Sequence, residues 1–329
     1  MSGAAVAAGA GSPAPGQRAV RVRVPATSAN LGPGFDTLGI ALAYGDELSV
    51  VTRAEPGALV RVTGVGEGEV PTDATNLVVR SAAHVYERLG RELPGIEIDA
   101  HNRIPHGRGM GSSGSAIVAG VMIAAGLLES DPAAPVTLTE TQLLAFATEL
   151  EGHPDNVAPA LFGGLTIAWT TPEGPKFKKL MVDRGVAPLV LVPSFTMSTE
   201  LARSLQPQQV PHEDAVFNVS RSALLIAALT QSPDLLFEAT EDRLHQNYRG
   251  AAMPGTRDLI AELRDAGHSA VVSGAGPSVL VLSNGPQERM AAADMVAEKH
   301  PDWRVLTLAV DTKGATVEPI PADSSRVSQ

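Results

Sequence analysis

Residues 104–115 read Ile-Pro-His-Gly-Arg-Gly-Met-Gly-Ser-Ser-Gly-Ser and lead directly into an apolar segment that begins at Ala116. Glycines let the backbone turn so that successive N–H groups converge, and the first turn of a following helix adds the positive end of its dipole. This combination favours phosphate. The serine hydroxyls also lie where a phosphate-bound Mg²⁺ ion takes an oxygen ligand. The predicted phosphate-binding positions are Pro105, His106, Gly107, Arg108, Gly109, Met110, Gly111, Ser112, Ser113, Gly114 and Ser115.

Three well-known glycine motifs describe this loop poorly. A Walker loop needs a lysine after its last glycine, and none is present. The stretch Gly109 to Gly114 satisfies G-x-G-x-x-G, but Pro105 interrupts the strand that a dinucleotide fold requires before it. Ser115 occupies the final glycine position of the hydrolase pattern G-x-S-x-G. A turn that only caps a buried helix remains the structural alternative.

Three further segments have a similar character. Residues 25–39 read Pro-Ala-Thr-Ser-Ala-Asn-Leu-Gly-Pro-Gly-Phe-Asp-Thr-Leu-Gly, and residues 273–278 read Ser-Gly-Ala-Gly-Pro-Ser. Residues 151–164 read Glu-Gly-His-Pro-Asp-Asn-Val-Ala-Pro-Ala-Leu-Phe-Gly-Gly. Together with the phosphate loop, they resemble the signature of the small-molecule kinases named for galactokinase, homoserine kinase, mevalonate kinase and phosphomevalonate kinase (GHMP kinases). The match is most similar to the homoserine kinases and extends from about Val22 to Val310. Met110 replaces a leucine of the pattern, and Gly114 replaces an alanine.

The resemblance implies a two-domain α+β fold. A ribosomal-protein-S5-like domain with the phosphate loop is expected over residues 18–175, and a ferredoxin-like domain over residues 176–320. Residues 1–17 and 321–329 are expected to be tails, the first of them disordered because it is rich in Ala, Gly, Ser and Pro. The segment Pro172 to Pro175 is the predicted hinge. Independently, strands and helices that mix without strict βαβ alternation favour the α+β class.

Hydrophobic periodicity predicts the individual elements. A strand is expected from Arg21 to Val24 and should end at Pro25, and residues 48–53 and 58–63 are expected to pair around a turn. The predicted helices span 76–89, 113–128, 139–151, 216–230, 256–265 and 290–299. The remaining strands are predicted near 96–100, 165–170, 189–193, 270–282 and 305–310.

The resemblance implies a substrate site for an amino acid. The Asp36 carboxylate should face the ammonium group of homoserine through charge-assisted hydrogen bonds. Arginine side chains in the second half of the chain should bind carboxylate or phosphate, since a guanidinium fork suits either anion. The other predicted substrate residues are Asn30, His153, Asn156, Arg203 and Arg249.

For Mg²⁺, the family pattern implies a loop serine with a glutamate on the following helix. Ser113 and Glu149 are the predicted ligands, and Ser112 with Glu151 is the alternative. Other interpretations stay open at these positions. Glu149 could lie on a solvated helix face, Asp36 could fix its own turn, His153 could be a surface turn residue, and Asn156 could cap the next element.

The predicted catalytic residues are Asn156, Ser113 and Glu149. Several relatives have an aspartate at the position that resembles Asn156, and an amide cannot serve as a base. Phosphoryl transfer depends more on positioning and electrostatic stabilisation than on deprotonation. We therefore expect direct transfer, with Asn156 orienting the acceptor hydroxyl and no strong protein base.

The resemblance implies a cytoplasmic kinase of threonine biosynthesis that uses ATP and Mg²⁺ to convert L-homoserine to O-phospho-L-homoserine, with a homodimer as the expected assembly. One alternative is a kinase of the same fold for another small alcohol such as mevalonate. The other is a catalytically silent sensor that binds ATP. Dependence on Asp36 would favour an acceptor with an ammonium group over an anionic one.

Composition excludes several classes of protein. The 329 residues include 44% hydrophobic and 19% charged residues, enough for a sizeable core. A net charge of −11 does not suit nucleic-acid binding. The absence of cysteine excludes disulfides and thiolate metal sites. The longest apolar run, Ala116 to Leu128, is shorter than the ~18–20 residues of a membrane span, so no membrane partner is expected.

Overall fold

The computed structural model describes residues 17–321 and contains two β-sheets. The predictions for residues 1–16 and 322–329 lie outside the described part of the chain. The first sheet has seven strands in the order β11-β1-β2-β4-β3, with the β5–β6 hairpin attached to β2. The second has four strands in the order β10-β7-β9-β8. The strands are β1 (Ala19–Ala29), β2 (Leu38–Arg53), β3 (Ala58–Gly64), β4 (Gly95–Asn102), β5 (Leu165–Thr171), β6 (Gly174–Leu180), β7 (Val186–Val192), β8 (Ala270–Val272), β9 (Val279–Asn284), β10 (Arg304–Thr307) and β11 (Thr316–Pro319).

Helices cover both sheets, which confirms the α+β class. In the first half of the chain, α2 and α4 pack on β1, while α1 and α3 flank α2. In the second half, α9 packs on β8, and α10 packs on β7 and β9. The helices are α1 (Leu77–Arg88), α2 (Ser112–Glu129), α3 (Glu140–Glu151), α4 (Pro154–Phe162), α5 (Thr199–Ser204), α6 (His212–Thr230), α7 (Leu236–Ala239), α8 (Gln246–Arg249), α9 (Pro254–Asp265) and α10 (Pro286–Lys299), with single 3₁₀ turns at Pro233–Leu235 and Gly250–Ala252.

The helix α2 is the centre of the first core. Its sequence is apolar on all sides, and most of its residues are buried against β1, α1 and α3. By length and composition it could cross a membrane, but a helix buried in this way inside a domain meets the same criteria. The prediction of a buried helix at this position is confirmed.

The predicted pairing of residues 48–53 with residues 58–63 is wrong. Strand β4 lies between β2 and β3, antiparallel to β2 and parallel to β3. Parallel neighbours need a crossover, and α1 supplies it between β3 and β4. The turn after β2 therefore leads to the edge of the sheet, where β3 exposes alternate residues such as Leu59 and Arg61.

The first strand does not end at Pro25. Strand β1 continues to Ala29, and the register with β2 shifts between Pro25 and Ala26. Proline has no N–H to donate, so an irregularity at this point lets the pairing resume beyond it. The extension brings Thr27 and Ser28 into the candidate site.

The change from the first sheet to the second occurs between Leu180 and Val186. The predicted hinge, residues 172–175, comprises the two-residue turn of the β5–β6 hairpin and the first two residues of β6, which is paired with β5 along its length. The boundary between residues 175 and 176 stays a prediction, and it falls inside this hairpin. One hydrophobic cluster contains side chains of both sheets, among them Ile40 of β2 and Leu280 of β9.

Candidate phosphate and acceptor site

The phosphate loop has the backbone conformation expected of an anion cradle. Gly107, Gly109 and Gly111 have φ angles of 63°, 70° and 71°, which L side chains rarely adopt. Gly111 is the N-cap of α2 and has no side chain to cap the helix, so the first N–H groups of α2 remain available to an anion. A Cβ atom on Gly111 would overlap the Thr27 hydroxyl, and one on Gly109 would overlap the Ser273 carbonyl oxygen. Only glycine fits these two positions.

The remaining positions of the phosphate loop differ in their surroundings. Met110 is fully buried, whereas His106, Ser112 and Ser113 line a cavity beside the loop. The side chain of Arg108 extends to the residues that follow β7 and also donates to the His106 carbonyl within the loop. The cavity has a volume of about 240 Å³ and is mainly apolar. Its apolar lining includes Leu48, Val60, Val62, Ile98, Ala100 and Ala116.

Two other small-residue segments meet the phosphate loop. The Thr27 N–H donates to the Met110 carbonyl at 3.1 Å. The Ser273 hydroxyl lies 2.6 Å from the Gly109 carbonyl oxygen and 2.9 Å from the Ser28 hydroxyl. The sequence segments 25–39, 105–115 and 273–278 therefore form one continuous structure, in which each loop limits the conformation of the next.

The first loop is strained. Asn30, Leu31 and Gly32 have consecutive positive φ angles of 71°, 52° and 82°, a costly conformation for the two non-glycine residues. The Asn30 side chain holds it in place, because its amide donates to the Gly274 carbonyl at 2.8 Å and accepts from the Asp36 N–H at 2.9 Å. Asn30 is thus bonded within the protein and directs Asp36. Its predicted contact with the substrate stays a prediction.

Asp36 and the two predicted arginines lie together. The Asp36 carboxylate accepts a hydrogen bond from Arg203 at 3.3 Å, and both side chains are 42% exposed. Arg249 is buried, donates to the Ala202 carbonyl at 3.3 Å and experiences the charges of Asp36 and Arg203. Burial lowers the pKa of Arg249, and the nearby carboxylate of Asp36 opposes this change. The structure thus brings one carboxylate and two guanidinium groups to one place.

His245 supports this arrangement and was not predicted from the sequence. The ring is fully buried, stacks on Phe35 with centroids 4.9 Å apart, and its Nε2 lies 2.8 Å from the Gly32 carbonyl oxygen. Its Nδ1 lies 3.3 Å from Nη1 of Arg249, four residues along the chain. Burial lowers the pKa of His245, which favours the neutral ring beside the Arg249 cation. The only signal in the sequence was this spacing of four residues.

The N-cap residue and first turn of α4 contribute a second group of side chains. His153 Nδ1 and Asp155 Oδ1 are 2.5 Å apart, and this bond raises the pKa of His153. Asp155 is only 2% exposed. Asn156 Oδ1 accepts from the Thr27 hydroxyl at 3.1 Å, which joins the segment to the first loop. Thr27 and Asp155 are site residues that sequence reasoning did not select.

The structure does not bring Ser113 and Glu149 together. Glu149 lies on the outer side of α3, with His84 at 2.8 Å and Arg88 at 3.2 Å. Glu151 instead accepts a hydrogen bond from the Ser113 hydroxyl at 3.0 Å. Residues two apart on a helix point about 200° apart, so only one of the two glutamates can face the loop.

Ser113 and Glu151 fit a magnesium ion. Glu151 is partly buried beside the Ser113 hydroxyl and the N-terminus of α2, and this burial raises the pKa of its carboxyl group. Mg²⁺ is usually held in such sites by one or two protein oxygens together with phosphates and waters. No cluster of three or more His, Cys, Asp or Glu side chains suited to a metal occurs within residues 17–321. A metal at this position would therefore depend on the bound nucleotide.

Comparisons with known proteins agree with this geometry. Residues 76–164 match the family model of the GHMP kinases N terminal domain, and residues 223–302 match that of the GHMP kinases C terminal domain. The chain is 66% identical to the homoserine kinase of Leifsonia xyli subsp. xyli over 308 residues, covering 93% of this chain and 94% of the relative. It is 64% identical to the homoserine kinase of Clavibacter michiganensis subsp. michiganensis, over 94% and 96% of the two chains.

Among solved structures, the homoserine kinase from Cytophaga hutchinsonii superposes with a TM-score of 0.80 at 29% identity, covering 91% of this chain and 97% of the other. The similarity thus includes both sheets and the loops between them. With both family models matched in order, and relatives of this identity over almost its entire length, the chain belongs to the GHMP kinase family.

Proposed function

We propose that this chain transfers the γ-phosphoryl group of ATP to the side-chain hydroxyl of L-homoserine, as a cytoplasmic, Mg²⁺-dependent enzyme of threonine biosynthesis. The observation that supports it most directly is the ion pair of Asp36 with Arg203 near Arg249. Arg249 donates to the Gly274 carbonyl, in the same segment whose Ser273 hydroxyl contacts the phosphate loop. An amino acid has both an ammonium and a carboxylate group, so it can satisfy both signs of charge in this site. The names of the relatives support the same acceptor.

Each end of the acceptor has candidate partners. Asp36 is half-exposed, so its carboxylate can exchange Arg203 for a substrate ammonium group. Arg249 and the released Arg203 would then bind the substrate carboxylate through their guanidinium forks. Mevalonate has no ammonium group and would leave Asp36 facing a second anion.

The nucleotide would lie across the phosphate loop. The N–H groups around Gly109 and Gly111 and the N-terminus of α2 would bind its phosphates. Ser113 and Glu151 would hold Mg²⁺, which when bound neutralises charge on the phosphates. The apolar cavity of about 240 Å³ beside Ser112 is suited to the adenine ring.

We infer that the transfer needs no strong protein base. The acceptor oxygen forms a bond to the γ-phosphorus, the bond from that phosphorus to the leaving oxygen of ADP breaks, and the hydroxyl proton passes to a phosphoryl oxygen. Asn156, held by Thr27, would orient the hydroxyl. Asp155 is already bonded to His153. If D155N abolished turnover with homoserine binding intact, while N156A lost only binding, a base mechanism would replace this one.

The test is an assay of ADP release with Mg-ATP and a panel of acceptors. We expect release with L-homoserine and none with mevalonate. In the D36N variant, the KM for homoserine should rise about 100-fold because a charged partner is lost, while the KM for ATP stays near its wild-type value. Phosphorylation of another alcohol in place of homoserine would contradict the proposal that homoserine is the acceptor. ATP binding without acceptor-dependent release would indicate a sensor. The homodimer stays a prediction for sedimentation analysis.

A further inference from the structure

Arg108 lies within the phosphate loop, but two of its three side-chain hydrogen bonds leave the loop. Its Nε donates to the Pro193 carbonyl at 2.9 Å, Nη2 to the Ser194 carbonyl at 2.8 Å and Nη1 to the His106 carbonyl at 3.1 Å. A guanidinium group has five N–H donors in a fixed plane. All three nitrogens of Arg108 therefore point to backbone oxygens, two of which belong to the segment that leaves β7.

This segment, residues 193–198, is called the strap here, and it is joined to the phosphate loop a second time. The Met197 N–H donates to the Gly107 carbonyl at 3.1 Å. The Met197 side chain is buried in a small cluster with Ala202, Met253 and Val272. Arg108 thus fixes the beginning of the strap, and Gly107 and Met197 fix its end.

The strap leads directly into α5, which contains Arg203. This helix has only six residues, and isolated helices shorter than about 12–15 residues are marginal in water, so contacts outside the helix must hold it. One of these is the bond from Arg249 Nε to the Ala202 carbonyl. Buried Ala202 also packs in the cluster of Met253 and Val272, and the strap holds the start of the helix. The position of the Arg203 guanidinium beside Asp36 therefore depends on where the strap is held.

From this chain of contacts we infer that Arg108 is a positioning residue for the acceptor site: it anchors the strap and thereby places Arg203, although it belongs to the nucleotide loop. A lysine has one charged nitrogen on a flexible stem and cannot reproduce three planar bonds. The inference rests on the proposed role of Arg203 in binding homoserine. It contrasts with a direct role for Arg108 in neutralising phosphate, which the sequence pattern favours.

The two roles predict changes in different quantities, the KM for homoserine or the affinity for nucleotide. If Arg108 positions Arg203, R108M raises the KM for homoserine about tenfold, R108K raises it less, and the affinity for a non-hydrolysable ATP analogue changes by about twofold or less. If Arg108 binds phosphate, the affinity for the analogue falls and the KM for homoserine is unchanged. The matched control is R61M, which removes an exposed arginine of the first sheet that pairs with Glu97 and Asp99.

A double-mutant cycle with R203K tests whether Arg108 changes the KM for homoserine through Arg203. Because Arg108 acts through Arg203, the change in homoserine KM caused by R108M should be much smaller in the R203K background than in the wild type. Additive effects, or a wild-type KM for homoserine in both Arg108 variants, would overturn the inference. Circular dichroism identifies a variant that fails to fold, and R108K then provides the same comparison. A wild-type protein that does not phosphorylate homoserine would instead contradict the proposed function.

Discussion

Glu149 and Glu151 lie two residues apart at the end of α3, and the structure gives them different surroundings. We expect E151Q to raise the Mg²⁺ concentration required for half-maximal activity about tenfold or more, because a carboxylate ligand becomes a neutral amide. E149Q should leave it unchanged, since Glu149 pairs with His84 and Arg88. Magnesium titrations of ADP release measure both. An E149Q effect as large as that of E151Q would restore the original prediction.

The helical region and both glutamates could be predicted from sequence, but the choice between them could not. That choice depends on the rotation of α3 about its axis, which is determined by its packing against α2 and α4. The hydrophobic pattern of α3 defines this rotation poorly, because buried Leu144, Phe146 and Ala147 do not form one clear stripe. His245 was missed for a similar reason. Its stacking on Phe35 joins residues that are far apart in the chain.

Two glycines of the phosphate loop should respond oppositely to alanine. Gly111 has a φ of +71°, and its Cβ would overlap Thr27, so G111A should lower kcat/KM for ATP about 100-fold by displacing the N-terminus of α2. Gly114 is in helical conformation in α2, and in G114A the new Cβ would lie 3.5 Å from Asn156 Cβ of α4, an ordinary van der Waals distance. That variant should keep its activity and gain up to about 1 kcal/mol of stability. The kcat/KM for ATP and the thermal unfolding of both variants test this prediction. A fully active G111A would contradict the proposal that the phosphate loop binds phosphate through the conformation at Gly111.

The pair of His153 and Asp155 should make stability depend on pH. Their hydrogen bond raises the pKa of His153 above its ordinary value of 6.5, so the folded protein binds this proton more tightly than the unfolded chain. The stabilisation is complete below about pH 6.5 and is lost as the pH rises through the raised pKa. D155N should remove this loss. The free energy of unfolding in urea, measured from below pH 6.5 to above the raised pKa, and an NMR titration of His153 test this prediction. A His153 pKa that is the same in D155N as in the wild type would refute it.

At the scale of elements, a lysine joins the end of α4 to the β5–β6 hairpin. Lys179 Nζ donates to the Phe162 carbonyl at 2.6 Å and to the Thr312 carbonyl at 2.8 Å. A cation at a helix C-terminus interacts favourably with the helix dipole, so K179M should destabilise the protein by about 1 kcal/mol. K176M is the control, because Lys176 is exposed and 3.7 Å from Glu173. Equal free energies of unfolding for both variants would show that Lys179, too, is only a solvated charge.

Most elements could be predicted from their own residues, whereas the order of strands could not. Alternating residues identify β3 as a strand but do not specify its neighbour, and the insertion of β4 follows from the crossover through α1. The continuation of β1 past Pro25 likewise depends on β2, which offers partners as far as Gly39. The contacts between the three loops join residues far apart in the chain, and no local pattern predicts them.

At the scale of the whole molecule, the loop between β8 and β9 joins the second sheet to the phosphate loop. Two buried serines of this loop can test whether the link depends on hydrogen bonds or only on burial. The Ser273 hydroxyl contacts Gly109 and Ser28. Loss of buried hydrogen bonds leaves polar groups unsatisfied, so S273A should cost about 1–3 kcal/mol and raise the KM for ATP severalfold.

The hydroxyl of Ser278, equally buried in the same loop, has no hydrogen-bond partner within the described residues. S278A should therefore leave the KM for ATP unchanged and should keep or slightly increase stability, because an unsatisfied buried hydroxyl is removed. Urea denaturation and ATP kinetics of the two variants form one experiment. If S273A and S278A behave alike, the loop contributes only burial, and the phosphate loop does not depend on the second sheet for its conformation.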